Sequence, residues 1–128
     1  MRIIKFRGKR LGDNQWVYGS LISDKEKGIG IIQQRENPMH DGVVQGWCHG
    51  IHPETVGQFT GLQDKNGNDI YEGDLVQHDA WDYPFEIIFS DERARFVCKL
   101  KTGLTHYIEG QLLVVVGNIH ENKGGGDE

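Results

Sequence analysis

The sequence predicts an all-β, mainly antiparallel fold: an N-terminal β-meander or barrel-like layer packed on a small C-terminal barrel of the SH3-like kind. Three observations carry this expectation. The chain of 128 residues holds 18 glycines but only 3 prolines, without a collagen period, which is what many tight turns require. Its apolar residues fall in short alternating runs, and the period of an amphipathic helix is almost absent. Mid-chain, Asn66-Gly67 and Glu72-Gly73-Asp74 are two turn signatures separated by a short apolar stretch, which is hairpin punctuation.

Taken in order, Ile4 to Arg7 alternates apolar and basic residues, so one face can pack while the other meets water. Gly8 to Asn14 is turn-rich. Trp16 to Ile22 is the second strand, with Trp16, Tyr18 and Ser20 on one face and Val17, Gly19 and Leu21 on the other. Ser23 to Gly28 is a charged turn, and Gly28 to Ile32 a strand whose glycines admit a neighbouring backbone at close range. Residues 33–42 read as a loop and Val43 to Cys48 as the fourth strand. A helical turn is expected to begin at Pro53, whose ring presets φ for it.

The segment from Pro53 to Val76 is the most densely punctuated. Val56 and Phe59 favour strand, and Asp64 to Asp69 is nearly pure turn chemistry. Asn66-Gly67 tolerates positive φ at both central positions, so a type I′ hairpin turn is expected there. Ile70 and Tyr71 resume the apolar pattern, and Asp74 is expected to cap the next turn. Strands follow from Leu75, over Phe85 to Phe89 and over Arg95 to Leu100, with a turn at 90–94. Leu112 to Val116 is the most apolar run and reads as a buried strand. The parts are expected to divide as 1–58 and 59–122, with 123–128 a flexible tail.

A chain of this length makes one domain or two very small ones, and buries enough surface to fold without a disulfide. Its formal net charge is −5, unevenly spread: Arg2, Lys5, Arg7, Lys9 and Arg10 fall within the first ten residues, with no acid among them. The two cysteines, Cys48 and Cys98, are expected to stay reduced in a cytoplasmic protein, because the first residues form no apolar signal core. No apolar run has the length a membrane helix needs, so no membrane partner is expected.

Four groups of residues are candidates for function. Trp81, Tyr83 and Phe85 form an aromatic loop of the kind that supplies contact hot spots, for a protein partner or for a second copy in a homo-oligomer; the competing reading is that they close the end of the barrel. Arg7, Lys9 and Arg10 with Trp16 combine basic and stacking groups, the recipe for single-stranded nucleic acid, although the acidic balance of the remaining chain repels phosphate. Cys48, His49 and His52, with His40 upstream, hold zinc-type ligands at a spacing that fits no standard finger, so no metal and no cofactor is expected. Asp64, Asp69, Glu72 and Asp74 cluster like cation ligands, but short carboxylates flanking turns bond their own backbone. No nucleophile elbow and no phosphate-binding glycine loop occurs.

Three blocks carry a resemblance over almost the whole chain. They are Lys5 to Arg10 with Trp16 to Leu21; Pro53 to Leu62 with Asp64 to Gly67 and Ile70 to Asp74; and Val116 to Asn122. Their order resembles the YopX family of phage and prophage proteins. The resemblance implies a mainly β, barrel-containing fold and residence in phage or prophage genomes. It implies no activity and offers no catalytic residues to carry over.

The expected function is therefore that of a non-enzymatic accessory or regulatory module acting by protein binding. The alternative is a nucleic-acid-binding module using the basic segment. A metal-dependent enzyme centred on Cys48, His49 and His52 ranks third.

Overall fold

The structure, a computed structural model, describes residues 3–34 and 46–121. Among them lie strands β1 (Phe6–Lys9), β2 (Trp16–Asp24), β3 (Gly28–Gln34), β4 (Gly46–Gly50), β5 (Gly57–Gln63), β6 (Asp69–Tyr71), β7 (Asp74–Gln77), β8 (Phe85–Ser90), β9 (Arg95–Lys99), β10 (Thr105–His106) and β11 (Val114–Asn118). Two 3-10 turns, Pro53–Thr55 and Gly110–Leu112, complete the described elements, and every strand pairing is antiparallel. The all-β, antiparallel expectation is what the chain adopts. The chain forms two units, Met1–Gln58 and Phe59–Glu128. The loop expected over 33–42 begins later than expected, because Gln33 and Gln34 continue β3; its residues 35–42, the expected strand residues 43–45 and the expected tail lie outside the described residues.

In the first unit the strands run in the order β4-β3-β2-β1, and Gly57 and Gln58 of β5 pair with Arg7 and Phe6 along the other edge of β1. Alternation along β2 sorts the sheet's two faces as the sequence pattern requires. Val17 and Leu21 turn toward a core with Ile31 and Ile51, joined by Phe6, Ile29 and Val56. Burying Ile31 completely is worth roughly 1.5–3 kcal/mol. On the opposite face, register sets Arg7 beside Tyr18 and Lys9 beside Trp16.

Gly19 is needed on β2 for a geometric reason: a Cβ there would overlap the carbonyl oxygen of Ile32 on β3. The helical turn expected at Pro53 is present. Thr55 fixes it, accepting the Lys9 N–H at 2.8 Å and donating its hydroxyl to the His52 carbonyl at 2.6 Å.

In the second unit β5 and β6 form a hairpin, and a separate sheet runs β10-β9-β8-β7-β11. Its core holds Ile70, Val76, Phe85, Ile87, Cys98 and Leu113.

The turn at 64–68 corrects the expected type I′ geometry. Gly67 has φ 84°, but Asn66 is not among the positive-φ residues. Gly67 N–H bonds to Asp64 O at 3.0 Å and Asp64 N–H to Asn68 O at 2.8 Å. This is the three-residue hairpin with a glycine bulge. Asp64 decides the outcome: its Oδ1 accepts the N–H groups of Asn66 and Asn68, both at 2.9 Å, and aspartate at the first position favours an ordinary type I turn.

The expected buried strand over Leu112–Val116 also needs correction. The strand begins at Val114 and lies at the sheet edge, paired only with β7 among the described strands, and a register shift between Val115 and Gly117 interrupts it. Leu113 is buried, yet Val116 is 53% exposed. The capping role expected of Asp74 holds, its Oδ2 accepting the Tyr71 N–H at 2.7 Å. Gly73 ties the same turn to β8 through its N–H to Ile87 O at 2.8 Å, while its carbonyl accepts the Ile119 N–H at 3.0 Å.

Candidate functional site

The aromatic loop between β7 and β8 is the most organised surface feature of the second unit. Gln77 reaches over it and donates through Nε2 to the carbonyls of His78 (2.9 Å) and Trp81 (3.0 Å). The Trp81 N–H returns to His78 O at 2.9 Å, and His78 Nδ1 accepts the Ala80 N–H at 2.9 Å. The loop backbone is thus fixed by its own hydrogen bonds.

Its three rings differ in burial. Phe85 is 7% exposed and belongs to the core, while Trp81 and Tyr83 are half-buried against it. Trp81 stacks on Phe85 with centroids 4.0 Å apart, and Tyr83 meets Phe85 edge-on at 5.3 Å. His78 and His106 flank Trp81 at 5.3 and 6.2 Å. The structure therefore brings all three predicted residues together, with Phe85 as the anchor and the other two as the surface that remains.

Of the basic segment, Arg7 and Lys9 lie on β1 within a sheet. Arg7 is buried, and its guanidinium carbon lies 4.6 Å from the Trp16 ring centroid; Lys9 Nζ lies 5.4 Å from it. Arg10 grips Asp13 through Nε to Oδ1 at 3.0 Å and Nη2 to Oδ2 at 2.6 Å. The Arg10 hydrogen bond is the leading reason that Asp13 falls to about 2. Basic and aromatic groups meet here as predicted, but Arg7 and Lys9 already lie against the ring a base would stack on.

Cys48, His49 and His52 are neighbours in sequence that the fold sends apart. Cys48 and His49 alternate along β4 and so face opposite sides of the sheet. His49 Nδ1 accepts from Arg10 Nη1 at 3.5 Å, because arginine can only donate, which leaves its Nε2–H for Gln33 Oε1 at 3.3 Å. His52 donates Nε2–H to Asn14 Oδ1 at 2.8 Å. Among the described residues no three His, Cys, Asp or Glu side chains are placed to hold a metal ion. His40 lies outside the described residues.

A different constellation could not be read from spacing. Register on the short β10 sets His106 opposite Cys98. His106 donates Nδ1–H to the Tyr107 carbonyl at 2.6 Å and turns Nε2 toward Glu109 Oε1 at 3.9 Å. The only local signal for this pairing is Gly103, whose φ of 90° shapes the turn leading into β10. Cysteine, histidine and carboxylate would suggest a nucleophile, but burial, and secondarily the Glu109 charge, push the Cys98 thiol up to about 11. Such a thiol is protonated at neutral pH and behaves as a small apolar side chain.

A model of the YopX protein family matches residues 5–124. The chain is a member of the YopX family. The match spans both units and all the strands described above. Among solved structures, this YopX-family chain is similar to protein EF1440 from Enterococcus faecalis, a crystal structure. The two are 22% identical, the alignment covers 97% of this chain and 98% of that one, and the TM-score is 0.55. That likeness speaks to the fold alone. No curated protein matches the chain. Among the described residues no helix is long and apolar enough to cross a membrane.

Proposed function

We propose that this YopX-family protein is a non-enzymatic accessory module of a phage or prophage, working in the bacterial cytoplasm by holding a protein partner through the aromatic loop of its second unit. One observation carries the reading. Trp81 and Tyr83 are half-open rings seated on a buried third ring, in a loop whose backbone is already fixed by Gln77 and His78. Rigid aromatic side chains lose little freedom on binding, and Trp and Tyr are enriched where interfaces concentrate their energy. We further read the order β10-β9-β8-β7-β11 as the meander of a small SH3-like barrel, with β11 returning beside β7 and the aromatic loop at one end.

The test places a photo-crosslinking residue at the exposed Ala80 position, identifies the host or phage protein captured, and measures the affinity of that purified protein. Trp81→Ala is expected to weaken binding at least about tenfold, the scale of an interface hot spot. Equal binding by wild type, Trp81→Ala and Tyr83→Ala would remove the proposed surface.

A further inference from the structure

The Tyr83 ring already carries a cation. Lys101 Nζ lies 4.3 Å from its centroid. The two ends of this contact differ in mobility. Tyr83 is held edge-on by buried Phe85, at 5.3 Å and 62° between ring planes. Lys101 projects on a flexible four-carbon stem from an exposed turn, closed by the Gly103 N–H to Leu100 O bond at 3.0 Å and the Leu100 N–H to Leu104 O bond at 2.9 Å. The ring stays in place if the ammonium leaves.

Charge around the ring favours a cation from outside. Asp79 and Asp82 belong to the same loop and are exposed. From Phe59 to Glu121 the chain holds eleven Asp and Glu against five Lys and Arg. A guanidinium suits this setting better than an ammonium: it is planar, stacks on aromatic faces, is less strongly hydrated and bonds carboxylates through two N–H groups at once.

We propose that the exposed face of Tyr83, in the loop that also carries Asp79 and Asp82, is a recognition site for an arginine side chain of a partner protein, and that Lys101 is an internal stand-in occupying it until displaced. This deepens the partner-binding reading above and rests on it for the identity of the ligand's source. It yields substitutions of opposite sign. Removing the stand-in must strengthen binding, and removing the ring must abolish it.

The experiment uses the full chain and a fluorescent octapeptide alternating arginine and glycine, followed by anisotropy at low salt. Tyrosine ring and Trp81 indole shifts are followed by NMR, with lysine and glutamate versions of the peptide as comparisons. Lys101→Gln is expected to bind the arginine peptide tighter, roughly two- to fivefold, the fold-change that losing one exposed cation–π competitor corresponds to. Tyr83→Leu is expected to lose binding, Tyr83→Phe to keep it, and the glutamate peptide not to bind. Thermal melts of each variant establish that it folds.

Unchanged or weaker binding by Lys101→Gln overturns the proposal. So does unchanged binding by a folded Tyr83→Leu variant, because charge alone then suffices. The two readings fail separately. If the crosslinked partner still depends on Trp81 but ignores Lys101 and Tyr83, the arginine site falls and the partner surface stands. If the peptide behaves as expected but crosslinks from position 80 capture no protein that depends on Trp81, the partner surface falls and the arginine site stands.

Discussion

The carboxylate of Asp64 accepts the backbone N–H of Val115 at 2.9 Å, joining residues 51 positions apart. The same side chain organises its own turn through Asn66 and Asn68, so one residue shapes the hairpin and ties it to β11. A second bond, Lys65 N–H to Leu113 O at 3.0 Å, runs alongside. Val115 also pairs with Val76 of β7, so the two flanks of this edge strand are both engaged at that point. An uncovered edge strand invites pairing with other chains, and Asp64 satisfies one donor there.

Asp64→Asn is therefore expected to destabilise the protein by roughly 1–3 kcal/mol, since the amide keeps one acceptor but turns a donor toward another N–H. The effect should depend on pH. Burial raises the affinity of Asp64 for its proton, but the bonds from Val115, Asn68 and Asn66 outweigh it and hold the group below the ordinary aspartate value. A lowered folded pKa means that the stabilisation is complete above the unfolded value, about 3.9, and is lost as pH falls through the lower folded value. Urea midpoints of wild type and Asp64→Asn should differ at pH 7 and converge in the acid range. Equal midpoints at pH 7 would show that the Val115 bond contributes nothing.

Gly19→Ala tests the β2–β3 approach. The added methyl would collide with Ile32 backbone, which cannot swing aside as a flexible side chain could. The expected cost is roughly 1–3 kcal/mol, the range for overpacking. Gly12→Ala, where a Cβ meets nothing within 4 Å, is the matched comparison and should change stability far less. Equal denaturation midpoints for the two variants would contradict the close approach.

Phe85 and Trp81 should separate in the same kind of measurement. Phe85 is in the core, so Phe85→Ala is expected to cost roughly 3–5 kcal/mol. Trp81 is half-buried, and its loop keeps backbone bonds that do not use the indole. Trp81→Ala should therefore cost clearly less in thermal stability. If both variants unfold alike, Trp81 is a core residue and the surface proposed for it disappears.

What the sequence made legible was local. Alternation from Trp16 to Leu21 sorted the faces of β2, Pro53 marked a 3-10 turn, and Gly73-Asp74 marked a capped turn, because each depends on φ preferences and short side chains acting within a few residues. Asn66-Gly67 located the hairpin but not its type, since the aspartate two residues earlier outcompeted the dipeptide. The partner of Asp64 and the pairing of His106 with Cys98 depend on register between strands far apart or very short, which no spacing encodes. The reach of the third resemblance block was visible, but not its cause: Asn118 Oδ1 accepts the N–H groups of His120 and Glu121 at 2.9 and 3.0 Å, folding the chain back after β11. Cys48 and His49 are adjacent in the sequence yet stand on opposite faces of β4, because neighbours alternate along a strand.

The two cysteines should be kinetically distinct. Cys48 is exposed on β4, whereas Cys98 is buried in the second core with its thiol held up at about 11, chiefly by burial. The thiolate is the reacting species, so at pH 8 the Cys98 fraction is about a thousandth, and the core also excludes the reagent. One thiol per native chain is expected to react rapidly with a maleimide, with mass spectrometry placing the label on Cys48, and the second only on unfolding. In Cys48→Ser the fast phase should vanish while the slow phase follows the unfolding rate. A fast phase persisting in that variant would mean that the β8–β9–β10 edge opens readily in the native state, bringing Cys98, His106 and Glu109 into solvent together and restoring the case for thiol chemistry there.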